Sequence, residues 1–258
     1  MTNRLLMVNR GAIITGAASG MGRATALRLA QEGCRVAVVD IDDVGGSRTT
    51  STIEDAGGLS FFVKADVSDE PSVINAVAQA AKSLGSFDTL VNTAGVAYTG
   101  SVADTSEADW DRVLDINLKG TFLMIKHLIP RFLSAGSGSI INVASNAGLV
   151  GVRNLSAYCA SKGGVVQLSQ ALALELAALN IRVNTVAPSS TVRTRMFDAR
   201  LGRSSDPKAL GEALAAANPM KRLCTPEDVA ELILYIVSDR ASYVTGGIFP
   251  IDGGLTAA

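Results

Sequence analysis

The 258-residue chain is long enough for one large α/β domain or two small ones and can bury a substantial core. Apolar residues make up 48% and aromatics only 5%, so the core is expected to consist of Ala, Val, Leu and Ile, with helices packed closely on a sheet. With 23 basic against 24 acidic residues, the formal net charge is −1, which gives no bulk field for nucleic acid or anionic lipid and argues against a polyanion-binding role.

Cys34, Cys159 and Cys224 are odd in number and far apart, without metal-ligand spacing, so neither a metal site nor a disulfide framework is expected. A reducing compartment suits them. The run from Met1 to Val8 is too short and too mixed for a signal-peptide core or a membrane span. Together these features predict a cytoplasmic protein without a membrane or nucleic-acid partner.

The first strand is expected at Ala12-Ile13-Ile14, followed by a glycine turn and a helix starting near Gly20. Further β-branched runs follow at Val36 to Val39, Phe61 to Val63, Thr89 to Val91, Ile140 to Val143 and Ile181 to Val183, each of a kind expected for buried parallel strands. Apolar residues at helical spacing mark 22–32, 71–84, 109–133 and 156–179. A strand and helix alternation without linker or repeat predicts one doubly wound domain over residues 1–258. Residues 189–219, with Arg193, Arg195, Arg200 and Arg203 and then an Ala-rich piece, break the alternation and read as a helical lid over a site.

The turn after the first strand is Thr15-Gly16-Ala17-Ala18-Ser19-Gly20-Met21-Gly22. Glycines allow a sharp turn and close approach to a pyrophosphate, and a helix N-terminus offers free N–H groups. Three glycines in a turn are also ordinary loop chemistry. Asp40, about twenty residues on at the end of the second strand, is placed to accept hydrogen bonds from an adenosine ribose and to repel a 2′-phosphate. A strand-end Asp also commonly caps a turn or helix, a task open to Asp42 and Asp43.

Tyr158 and Lys162, at i and i+4, share one helix face, where an ammonium would favour the phenolate and let the tyrosine trade a proton with a substrate oxygen. Ser145 follows the fifth strand at its carboxyl end, where α/β sheets hold their ligands; it is either a substrate-binding hydroxyl or a capping serine beside Asn146. The single histidine, His127, lies among Ile125, Leu128 and Ile129 and reads as structural. Asn117 reads by itself as an interior polar residue that bends its helix.

Over nearly its whole length the chain resembles a short-chain dehydrogenase/reductase. Thr15 to Gly22 is similar to the T-G-x-x-x-G-x-G loop of that family, Asp66-Val67 to its adenine-contacting pair, and Asn92-Thr93-Ala94-Gly95 to its N-N-A-G element. Ser145, Tyr158 and Lys162 fall on its catalytic positions, and Asn117 on the fourth. The resemblance implies a seven-stranded parallel sheet, an NAD cofactor given Asp40 and Ile41, and a homotetramer. Tyr158 would transfer the proton, Ser145 would orient the substrate oxygen, Lys162 would lower the tyrosine pKa and bind the nicotinamide ribose, and Asn117 would support a water linked to the lysine. Gly16, Ser19, Gly20, Met21 and Gly22 would cradle the pyrophosphate, with Pro188 and Thr194 beside the nicotinamide. Thr93 and Ser189 depart from the usual Asn and Gly, and Thr194 stands one residue later than usual. The motifs Pro226 to Ala230, Val244 to Gly246 and Asp252 to Gly254 also resemble the family and are expected to close the sheet and the subunit contacts.

By family position, Val96, Ala97, Ala147, Leu149, Leu155, Met196 and Phe197 would wall the substrate pocket, which predicts a neutral, partly apolar alcohol or ketone. Arg153 would select an acid if it pointed inward. Two other readings stay open: a 3-oxoacyl-carrier-protein reductase using NADPH, which Asp40 opposes, and a non-catalytic dinucleotide sensor on the same fold.

Overall fold

A computed structural model describes residues 5–257. Residues 1–4, part of the short amino-terminal run considered above, and residue 258 lie outside the described residues. The strands are β1 (Gly11–Thr15), β2 (Arg35–Asp40), β3 (Ser60–Lys64), β4 (Thr89–Asn92), β5 (Gly138–Val143), β6 (Ile181–Pro188) and β7 (Ile248–Ile251). They form one seven-stranded sheet in the order β3-β2-β1-β4-β5-β6-β7, and every neighbouring pair is parallel. The chain builds outward from β1 to β3, then returns to place β4 on the other side of β1. That reversal opens a crevice above the carboxyl ends of β1 and β4.

Alternate residues of each strand feed opposite faces. Ile13, Leu90, Ile140 and Val183 pack against α3 (Glu70–Leu84), α5 (Gly120–Ala135) and α6 (Ser156–Leu176). Ile14, Val91, Ile141 and Val186 pack on the other face against α1 (Gly20–Gln31) and α9 (Pro226–Val237). Burial on both sides explains why these strands read as continuous apolar runs.

The predicted helical stretch 109–133 is interrupted. α4 (Glu107–Leu114) passes through a π-helical turn at Asp115–Lys119 before α5 begins. α2 (Asp43–Asp55) is not among the helical stretches read from the sequence: it contains two glycines and a run of Thr and Ser, a poor helical composition. Packing demands the glycine, because a Cβ on Gly46 would fall 2.0 Å from the Phe62 ring. β7 was likewise hidden by Pro250, which an edge strand tolerates. Residues 189–219 carry α7 (Arg195–Leu201) and α8 (Pro207–Ala217), matching the helical insertion read there.

Candidate active site

Gly16 and Gly20 both adopt left-handed backbone, φ +65° and +54°, and bend the chain from β1 into α1. A Cβ on Gly16 would lie 2.7 Å from the Ala94 nitrogen, and one on Gly22 2.3 Å from the Gly16 carbonyl oxygen. The loop is therefore bare backbone pressed against the end of β4, with the α1 N-terminus aimed into the crevice. Ser19 is the α1 N-cap residue, but its side chain makes no capping bond. Such a cradle fits the pyrophosphate of a dinucleotide.

Asp40 closes the cradle from the side. Its carboxylate accepts from the Ala18 nitrogen at 2.9 Å and from the Asp42 nitrogen at 3.0 Å, tying β2 to the glycine loop. Capping of α2 falls to Asp42, which accepts from Gly45 N at 3.1 Å, so Asp40 keeps lone pairs for a ligand. Ile41 beside it is exposed. Asp66 follows β3 and accepts from Ser68 N at 2.9 Å, while Val67 packs over Gly120 at the start of α5.

At the other end of the crevice, Ser145 follows β5 and caps a short turn, accepting from Ala147 N at 3.2 Å. Both alternatives raised by the sequence are thus compatible in one residue: it caps, and its hydroxyl faces Tyr158. Tyr158 and Lys162 rise from the first turns of α6, both buried. Burial pushes the phenol up to about 12, with the Ser145 hydroxyl bond pulling the other way. Lys162 Nζ donates to the Val143 carbonyl at 2.8 Å and stands 5.9 Å from the centre of the tyrosine ring. Burial in turn brings Lys162 down to about 8.

Asn117 sits in the π-helical turn, fully enclosed. Its side chain clamps the Val96 backbone, accepting from N at 2.8 Å and donating to O at 2.9 Å, and also donates to Ser161 Oγ at 3.0 Å. A single amide thus joins the β4 loop to the helix that carries Tyr158 and Lys162. Gly95 keeps the space between them open, since a Cβ there would approach Asn117 Oδ1 at 3.2 Å and Lys162 Nζ at 3.5 Å. Thr93, the unusual residue, donates its hydroxyl to the Thr15 carbonyl and so replaces an amide with a direct clamp between β4 and β1.

Residues 16–256 match the family model described as enoyl-(acyl carrier protein) reductase. The chain is 38% identical, over 100% of both proteins, to a 2-(S)-hydroxypropyl-CoM dehydrogenase of Xanthobacter autotrophicus. It belongs to the short-chain dehydrogenase/reductase family. It is also 42% identical to a cis-4-hydroxycyclohexanecarboxylate dehydrogenase of Sinomonas cyclohexanicum, over 96% of this chain and 97% of the relative. The crystal structure of levodione reductase superposes with a TM-score of 0.94 at 33% identity, covering 98% of this chain and 99% of the other. As a short-chain dehydrogenase/reductase, the protein is an oxidoreductase that works with a nicotinamide dinucleotide.

The fold brings most, but not all, of the expected residues of this short-chain dehydrogenase/reductase together. Ala147, Leu155 and Tyr158 share an apolar cluster with Val96 and Ala97, joined by Tyr98, Trp110 and Val152, which sequence patterning did not single out. Leu149 instead packs with Ala144, Val165 and Val166. Asn92 lies within the sheet, donating to Asn142 Oδ1 at 2.9 Å, and its own Oδ1 is buried without a partner among the described residues. Arg153 is exposed, as is Met196 in part, whereas Phe197 is buried on α7.

Arg193, just before Thr194, takes a left-handed φ of +55°, and Thr194 lies against Gly20. There Thr194 caps α7, accepting from Phe197 N at 3.1 Å, and its methyl lies 3.1 Å from a Cβ built on Gly20. Pro188 ends β6 with its carbonyl 3.5 Å from Ser145 Oγ. Met21 packs against the core under α1. Among the described residues there is no His, Cys, Asp and Glu grouping suited to a metal, and no helix long and apolar enough to cross a membrane.

Proposed function

We propose that the protein moves a hydride between NAD(H) and a neutral, partly apolar secondary alcohol or its ketone. The observation that carries this reading is the pairing of Asp40 at one end of the crevice with Ser145, Tyr158 and Lys162 at the other. A carboxylate tied to the glycine loop can still accept from ribose hydroxyls and would repel a 2′-phosphate. Gly16, Ser19, Gly20, Met21 and Gly22 would hold the pyrophosphate, Asp66, Val67 and Ile41 the adenosine, and Asn92, Ala94, Gly95, Pro188 and Thr194 the nicotinamide half. The nicotinamide, when bound, supplies or accepts the hydride.

The chain's own residues handle the proton. A phenol held near 12 is protonated at neutral pH, the state needed to donate to a ketone oxygen. The Ser145 hydroxyl, beside the phenol, orients and polarises that oxygen. Lys162, fixed by the Val143 carbonyl, places positive charge behind the tyrosine as its proton leaves. Asn117 holds the walls of this pocket in register and would support a water that reaches the lysine. In alcohol oxidation the same groups act in reverse.

The cluster of Val96, Ala97, Tyr98, Trp110, Val152 and Leu155 around Tyr158 favours an apolar substrate body. Such walls discriminate by about 1–3 kcal/mol per methylene, so tenfold-scale preferences over a broad range are expected. The absence of a membrane-crossing helix among the described residues suits a cytoplasmic protein. The outer edge of β7 is unpaired in a single chain, and Leu174 and Tyr243 are 86% and 102% exposed, which suits assembly into a homotetramer. Light scattering of the purified protein tests that assembly.

The test of function is kcat/KM for a panel of neutral secondary alcohols and ketones with NAD(H) and NADP(H) in parallel. Faster turnover with the phosphorylated cofactor at equal low concentration would overturn the role given to Asp40. Dinucleotide binding without turnover on any member of the panel would favour the sensor reading.

A further inference from the structure

We propose that Arg195 and Asp42 form a strap across the dinucleotide cleft, so that the lid over residues 189–219 governs exchange of the cofactor as well as access of the substrate. Arg195 opens α7 on the lid, and Asp42 stands in the turn between β2 and α2, on the adenosine side of the cleft. Their side chains form an ion pair between residues 153 positions apart. Asp40, two residues before Asp42, is bonded to Ala18 of the glycine loop, and Thr194, one residue before Arg195, lies against Gly20. The pair therefore joins the lid to the turn between β2 and α2, beside the glycine loop.

Three other observations fit a hinged strap rather than an incidental surface contact. Thr194, the residue before Arg195, packs its methyl 3.1 Å from where a Gly20 Cβ would stand, so the lid rests on the pyrophosphate loop itself. On the other flank, Arg193 pairs with Glu227 in the first turn of α9, and the Val192 nitrogen donates to the Cys224 carbonyl at 3.0 Å, fixing the lid's base to the body. Arg193 takes a left-handed φ of +55°, two residues before Arg195. The start of the lid is thus held by a backbone hydrogen bond and the Arg193–Glu227 pair, and Arg195 just beyond it is tied to Asp42.

The strap is weak by construction. Arg195 is 61% exposed and Asp42 24%, and exposed pairs of this kind break readily and are screened by salt. The pair joins protein to protein beside the glycine loop, so opening it would limit uptake and release alike. Its loss should therefore speed both steps while leaving the equilibrium affinity nearly unchanged. A direct contact between Arg195 and the pyrophosphate would behave differently: losing it would speed release alone and weaken binding.

This inference rests on the cleft being the dinucleotide site. The test uses stopped-flow fluorescence with NADH and NADPH, comparing wild type with Arg195→Gln, Asp42→Asn and the double variant carrying both. Asn retains the helix-capping ability of Asp42, so the single variant removes charge without fraying α2. Both single variants are expected to raise the association and dissociation rates by about two- to fivefold, with Kd changed by less than twofold, and the double variant to add nothing further. A second readout needs no cofactor: trypsin should cut within residues 195–203 faster in Asp42→Asn than in wild type. Unchanged rates, unchanged cleavage, or faster release at constant association would each overturn the strap. Failure of the wild type to bind either dinucleotide would instead remove the site, and the strap with it.

Discussion

Replacing Lys162 by Met should stabilise the protein at neutral pH while stopping turnover. The lysine is 4% exposed and has one hydrogen-bond partner, the Val143 carbonyl. Its fall from 10.5 to about 8 corresponds to about 3 kcal/mol against the charged form in the folded state. The hydrogen bond lost in the variant, made by an ammonium, returns about 1.5–3 kcal/mol, leaving a gain of up to about 1.5 kcal/mol. For a chain of this length that is a rise in Tm of up to roughly 6 °C. The sign follows from linkage: the folded value lies below the unfolded one, so the unfolded chain binds the extra proton, and the penalty is full below pH 8. It fades as pH rises from about 8 to 10.5, where wild type should draw level with the variant apart from the lost hydrogen bond. Denaturant titrations of both proteins at pH 7 and pH 10 measure this directly. A variant less stable at pH 7, or an advantage that persists undiminished at pH 10, would refute the burial argument.

Tyr158→Phe should lower turnover by about 10²–10⁴-fold with folding and dinucleotide binding nearly intact, as read by initial rates beside a fluorescence titration; near-normal rates would exclude the tyrosine as the proton donor. Asp40→Ala should narrow the preference for NAD over NADP and, by orphaning the Ala18 and Asp42 nitrogens, reduce stability by about 1–3 kcal/mol; a wild-type preference ratio in the variant would move specificity elsewhere. Arg153→Ala should leave kcat/KM for neutral alcohols within about twofold, since the side chain is exposed; a preference for carboxylate-bearing alcohols that disappears in the variant would place Arg153 in the site.

The parts of the molecule that were legible in the sequence are those set by local spacing. The glycine turn, the i and i+4 pairing of Tyr158 with Lys162 and the apolar runs of six strands each report a short-range constraint. α2 was not legible because Gly46 answers to the Phe62 ring, a neighbour on another element. Tyr98, Trp110 and Val152 come to Tyr158 from separate loops and helices, so no pattern in one segment marks them. The direction of the Lys162 ammonium was likewise hidden: helical spacing puts it on the tyrosine's face, and the Val143 carbonyl then draws it away. Asn117 was expected to bend its helix, and it does lie where the helix widens, but its grip on Val96 depends on a loop 21 residues away.

That widened turn has a consequence for the whole rod from Glu107 to Ala135. An α-helix advances about 100° per residue, so one additional residue in a wide turn rotates everything beyond it. Upstream, Val113 and Trp110 face the substrate cluster; downstream, Leu123, Met124 and Leu128 face the sheet. The turn works as a phase shifter, letting a single rod serve two apolar partners that do not lie in one line. Deleting one residue from Asp115–Lys119 should therefore do more than shorten the helix: it would swing one of the two stripes into water, and the cell would meet a misfolded chain instead of a slow enzyme.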